Sequence, residues 1–195
     1  MSFLDDYDQL YAPLLGRRAA TYQQVFERLL ATKPADVCIV ETGAINDPGN
    51  WSGHGNSTRL FDALVNTCGG TVYTVDISEE AIETTRGLVS NKVILAQTDS
   101  VYWLSQFGQP IDLLYLDSYD LDISDPWPSV KHHFFELTAA SKNLHAGSIV
   151  CVDDTYAPKH QPPFGKGMMI CEYMKIIEAE RITDYEGYQV AWMLK

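Results

Sequence analysis

Acidic residues close nearly every apolar run of this chain, and they are the side chains with chemistry to offer. Glu41 follows "VCIV" (37–40), Asp76 follows "TVYTV" (71–75) and Asp117 follows "IDLLYL" (111–116). Asp153 and Asp154 follow "SIVCV" (148–152), and Asp99 with Ser100 stands just beyond "KVILA" (92–96). An acid ending a second strand can accept hydrogen bonds from both hydroxyls of a ribose. Asp76 can equally cap the helix after it, and Asp99 has the same two uses, an adenine amino group or a helix N-terminus. Asp117 in "YLDSYD" and the Asp153–Asp154 pair in "VDDT" are oxygen donors of the kind a hard divalent cation selects. The plainer reading has Asp154 capping the next loop and Asp153 facing water.

The elements that must position these acids alternate. The five apolar runs are separated by "STRLFDALVNT", "SEEAIETTRGL", "SVYWLSQF" and "PSVKHHFFELTAASKNL", all with helical character. Ser78 and Ser100 are candidate N-caps. Strand alternating with helix predicts an α/β, Rossmann-like, doubly wound sheet, mostly parallel and covered on both faces. "GKGMMICEYMKIIEAE" predicts a last helix. "RITDYEGYQVAWML" predicts two strands around a Glu-Gly turn, a C-terminal antiparallel hairpin. Residues 1–35, with Tyr22, Val25, Phe26, Leu29 and Leu30 at helical spacing, are expected to form a helical cap on a single domain spanning 1–195. In open sheets of this kind, ligands sit outside the carboxyl ends of the strands.

The stretch "ETGAINDPGNWSGHGNST" (41–58) leaves the first strand with Gly43 far from Gly53 and Gly55. It is expected to be a cofactor cradle with a flap inserted in it. The turn formers of 44–56 offer little apolar surface, which predicts a mobile segment. Trp51 and His54 are its candidates for touching a substrate, against a plain role for Trp51 in packing the loop. The net charge of −12 disfavours a nucleic-acid or anionic-membrane partner. Acidic residues before the first short apolar stretch, and the lack of a long apolar run, predict a cytoplasmic location. The four cysteines show no metal-type spacing and are expected to be reduced.

With acids after strands one, two and three and a hairpin at the end, the order of elements over about 37–195 resembles the class I S-adenosylmethionine-dependent methyltransferases. "VETG" matches the family's acid and glycine after the first strand, and "GHGNST" the start of the next helix. The resemblance implies cofactor contacts at Glu41, Thr42, Gly43, Ser57, Thr58, Asp76, Ile77, Asp99 and Ser100. "YLDSYD" and "VDDT" resemble the metal-dependent O-methyltransferases, most closely the macrocin (sugar) type. This implies that strands four and five are neighbours, about 5 Å apart. Asp117, Asp153 and Asp154 would then need compensating charge, and the implied source is Mg²⁺ or another hard divalent cation. In that case Asp117 would also be the catalytic base. A catechol-type lysine three residues after Asp117 is absent, because Asp120 stands there. Lys159 and His160 are weaker base candidates, and His132 and His133 are expected to lie mid-helix, far from the strand ends. The expected acceptor is a small hydroxylated molecule, a sugar or a phenol, and a homo-oligomer stays open. The alternatives are an NAD-dependent oxidoreductase, disfavoured by the wide glycine spacing, and a non-catalytic nucleotide-binding protein.

Overall fold

The computed structural model describes residues 2–53, 56–184 and 186–195. Its centre is a seven-stranded sheet in the order β3-β2-β1-β4-β5-β9-β8. β1 (Val37–Thr42), β2 (Gly70–Asp76), β3 (Val93–Gln97), β4 (Ile111–Leu116) and β5 (Leu144–Val152) run parallel. β8 (Glu180–Arg181) and β9 (Val190–Met193) add the antiparallel edge. β6 (Thr155–Tyr156) and β7 (Phe164–Gly165) form a separate two-stranded ribbon. The expected hairpin is therefore present. Its strands are joined by a longer segment than a tight Glu-Gly turn would need.

Alternation along the strands divides the core into two layers. Ile39, Leu113, Tyr115, Ile149 and Cys151 face one side, where α2 (Ala19–Thr32) and α3 (Ser57–Cys68) cover them. Val40, Leu114, Leu116, Val150 and Val152 face the other. There α5 (Ser100–Gln106), α6 (Trp127–Ala140) and α7 (Met168–Ile176) pack, while α4 (Glu79–Arg86) joins β2 to β3. This two-sided burial is why β4 is apolar throughout its length. The first residues, including the single-turn α1 (Phe3–Asp6), belong to the same core. Phe3, Tyr7, Leu15 and Phe26 cluster with Phe61 and Tyr115. Order reverses between β1 and β4, which sets a crevice at their carboxyl ends.

Three local details bear on the helix starts. Ser78 caps α4, accepting from the Ala81 N–H at 3.2 Å, so Asp76 is free of that task. Asp99, and not Ser100, caps α5, accepting from the Tyr102 N–H at 2.7 Å. The last helix begins at Met168, because Gly165 pairs with Thr155 in the ribbon and takes φ +111°. Among the described residues, no helix is long and apolar enough to cross a membrane. The four cysteines are unpaired.

Candidate active site

A cleft of about 390 Å³ opens at the β1–β4 crevice, within the size range of small-ligand sites. Gly43, Ser57, Asp76, Asp117 and Asp154 all line it, which places five of the expected residues around one space. Glu41, Thr42, Thr58 and Asp153 are buried behind that surface. Ile77 is largely exposed, and Asp99 and Ser100 sit at the head of α5 and do not themselves line the cleft.

The turn after β1 is built from backbone donors. Gly43 takes φ +94°, and a Cβ on it would meet the Asp117 carbonyl oxygen at 2.5 Å. Only glycine lets the ends of β1 and β4 approach this closely. Asp76 accepts from the Ala44 N–H at 2.8 Å through one oxygen and from the Ser78 N–H at 2.7 Å through the other. Glu41 is fully buried and accepts from the hydroxyls of Thr58 (2.6 Å) and Thr74 (2.9 Å) through Oε2. Its Oε1 has no partner among the described residues. Burial pushes the Glu41 carboxyl up to about 7, and the neighbouring hydroxyls only partly oppose it.

The described part of the flap makes several hydrogen bonds to the rest of the chain. The Ile45 N–H donates to Thr85 Oγ1 at 2.9 Å, and the Arg18 guanidinium donates to the carbonyls of Ser52 (2.8 Å) and Gly53 (3.2 Å). Trp51 packs against Tyr11 and under the Arg59 guanidinium, which is the plain loop-packing role. His54 and Gly55 lie outside the described residues.

The three acids of β4 and β5 meet as expected, but the positive charge beside them comes from the chain itself. Arg18 Nε donates to both oxygens of Asp153 at 3.0 and 2.9 Å, and a second guanidinium nitrogen reaches Asp154 at 3.2 Å. Tyr115 donates to Asp153 Oδ2 at 3.0 Å, and Tyr22 and Gln189 donate to the Tyr115 oxygen, both at 2.7 Å. Burial works against the Asp153 carboxylate, yet Arg18 and Lys166 hold it below its ordinary value. Lys166 is 2% exposed, and its ammonium bridges Asp117 Oδ1 and Asp154 Oδ2, the latter at 3.0 Å. Burial opposes the charged lysine, but Asp117 and Asp154 outweigh it and raise its pKa. Burial also raises the Asp117 carboxyl, reinforced by Asp153 and Asp154 and opposed by Lys166.

As the side chains stand, the expected metal ligands Asp117, Asp153 and Asp154 are paired with cationic side chains of the chain itself. Asp153 spends both oxygens on Arg18, and an ammonium stands between the other two. The donor set does not fit Mg²⁺, which needs several free oxygens around one point. Among the described residues, no group of three or more His, Cys, Asp or Glu side chains is disposed to hold a metal.

Arg18, Lys166 and Glu136 are site residues that the sequence reading missed. Glu136 accepts from the Ser100 and Ser118 hydroxyls and contacts His132 at 3.3 Å, so α6 lies across the ends of β3 and β4. His132 is therefore nearer the strand ends than expected. His133 is buried against the Ser129 carbonyl, and burial lowers its pKa to about 4. Lys159 and His160 are exposed, and neither lines the cleft.

No protein-family model matches the chain, and no curated protein matches it by sequence. Solved structures do match. CalS11, a TDP-rhamnose 3'-O-methyltransferase of calicheamicin biosynthesis, is 15% identical with a TM-score of 0.62, over 97% of this chain and 86% of that one. MycE, a methyltransferase of the mycinamycin pathway solved with Mg, S-adenosylhomocysteine (SAH) and mycinamycin VI, is 13% identical with a TM-score of 0.62. It is matched over 97% of this chain but 54% of its own length. An rRNA methylase from Streptococcus thermophilus is 14% identical with a TM-score of 0.56, over 89% and 96%. The fold is the Rossmann-like methyltransferase fold. At these identities the likeness speaks for the fold, and the chemistry rests on the cleft.

Proposed function

We propose that the protein transfers a methyl group from S-adenosylmethionine to a hydroxyl of a small acceptor. The observation that carries this reading is one cleft, at the β1–β4 switch point, lined by both Asp76 and Asp117. Asp76 stands where a ribose acid belongs, and its backbone donors leave further lone pairs on each oxygen. Gly43 and the flap backbone would pass beside the cofactor, and Glu41 Oε1 is an unused buried acceptor two residues earlier. The same reading gives Thr42, Ser57, Thr58, Ile77, Asp99 and Ser100 supporting places around the cofactor. S-adenosylmethionine, when bound, supplies a sulfonium methyl and leaves as a thioether.

The acceptor end is the Asp117–Lys166 corner. A hydroxyl is a weak nucleophile at neutral pH, and a carboxylate with a raised pKa is a suitable proton acceptor. Asp117 takes the hydroxyl proton as the oxygen–carbon bond forms, and the carbon–sulfur pair stays on sulfur. The cleft wall holds four carboxylates (Asp76, Asp117, Asp120 and Asp154) against two cations (Arg18 and Lys166). That balance, with the net charge of −12, favours a neutral sugar or phenol over a polyanion such as RNA. No step runs through a metal, because the carboxylates do not fit one as they stand.

Thermal unfolding with and without ligand tests the reading. SAH at one hundred times its dissociation constant should stabilise the fold by about 2.7 kcal/mol, and NAD⁺ should not. Stabilisation by NAD⁺ alone would transfer the cleft to redox chemistry.

A further inference from the structure

We infer that the Lys166 ammonium is a built-in cation that takes the place of a divalent metal beside the acceptor oxygen. The inference rests on the proposed methyl transfer for its purpose, but its structural content stands apart. Two carboxylates from neighbouring strand ends, Asp117 after β4 and Asp154 after β5, converge on one nitrogen. Asp154 takes φ +44°, and Gly165, opposite Thr155, takes φ +111°. A Cβ on Gly165 would lie 1.9 Å from the Asp154 carbonyl oxygen, and the Lys166 N–H donates to that carbonyl at 3.1 Å. The β6–β7 ribbon therefore folds tightly back on Asp154 and delivers its lysine to the acids. Backbone strain at a non-glycine residue and a glycine-only contact are held together at this one point.

Lys166 is buried yet lines the cleft, so its head group is presented to a ligand while its stem is packed. Two of its three N–H groups meet carboxylates, and the third has no partner among the described residues. That third donor can hold the acceptor oxygen while Asp117 takes its proton. A single positive charge then does what a metal would do, neutralising the paired acids and stabilising the oxygen as it becomes negative. Arg18 completes the arrangement by consuming Asp153, the third ligand a metal would require.

The test is a Mn²⁺ titration followed by electron paramagnetic resonance, which needs no acceptor. The wild-type protein should show no stoichiometric site at millimolar Mn²⁺. Lys166→Ala, with Asp117 and Asp154 freed, should bind at least tenfold more tightly, and adding Asp154→Asn should abolish the gain. Lys166→Arg should behave as wild type. Stoichiometric Mn²⁺ binding by the wild type, lost on Asp154→Asn, would overturn the inference. So would a folded Lys166→Ala that gains nothing, and should that variant not fold, the wild-type and Lys166→Arg titrations decide. SAH stabilisation, read on the same samples, reports on the methyltransferase reading separately.

Discussion

Glu41 makes the stability of this protein depend on pH in a way that one substitution should remove. The carboxyl is fully buried, one oxygen has no partner among the described residues, and its pKa rises from 4.5 to about 7. A tenfold change in proton affinity is worth about 1.4 kcal/mol, so the linkage amounts to about 3 kcal/mol. The sign follows from which state keeps the proton. Between these two values the folded protein holds a proton that the unfolded chain has released. The contribution is therefore complete below pH 4.5 and is lost as pH rises through about 7. Glu41→Gln keeps the shape and removes the titration. Urea unfolding of both proteins at pH 5, 6, 7 and 8 should show the wild type losing about 2.5 kcal/mol relative to the variant over that range. Using the difference cancels the other shifted groups, such as His133, whose lowered pKa acts in the opposite direction. Parallel stability curves would mean that Glu41 is ionised throughout, in the folded and the unfolded protein alike.

Two further outcomes follow from the ion pairs and the ribbon. Arg18→Ala strands the fully buried Asp153 and should cost about 3–5 kcal/mol in urea unfolding, much of it recovered by adding Asp153→Asn. An Arg18→Ala loss below about 1 kcal/mol would make the pair incidental. Gly165→Ala should lower stability by at least about 1–3 kcal/mol and give the Mn²⁺ phenotype of Lys166→Ala, because it forces the ribbon off Asp154.

The sheet was legible because its information is local. Five apolar runs of strand length, each closed by a turn or acid, predict five parallel strands, and those strand ends carry the cleft. What escaped depends on pairings between distant residues. Arg18 stands 135 positions from Asp153, and nothing in the "GRRAAT" stretch marks which arginine turns inward. Lys166 sits between two glycines before an apolar-periodic run, so it reads as a helix start. Only the pairing of Gly165 with Thr155 turns it into the end of a ribbon. The flap's hydrogen bonds were not legible either, because they are made by the backbone groups of Ile45, Ser52 and Gly53. The metal assignment turns on the same kind of distant pairing. Crowded acids announce that compensating charge is needed, and sequence does not say whether an ion or a distant side chain supplies it.

The β6–β7 ribbon has a consequence for how such a protein could be re-engineered. Its paired ends fix Asp154 and Lys166, while residues 157–163 between them are outside the paired strands. Insertions there would be cheap, since doubling a loop's length costs only about 0.6 kcal/mol in closure entropy. The clamp thus works as a socket: segments grafted at the exposed positions 159–162, beyond the buried Ala157, could be varied as a library without displacing the lysine.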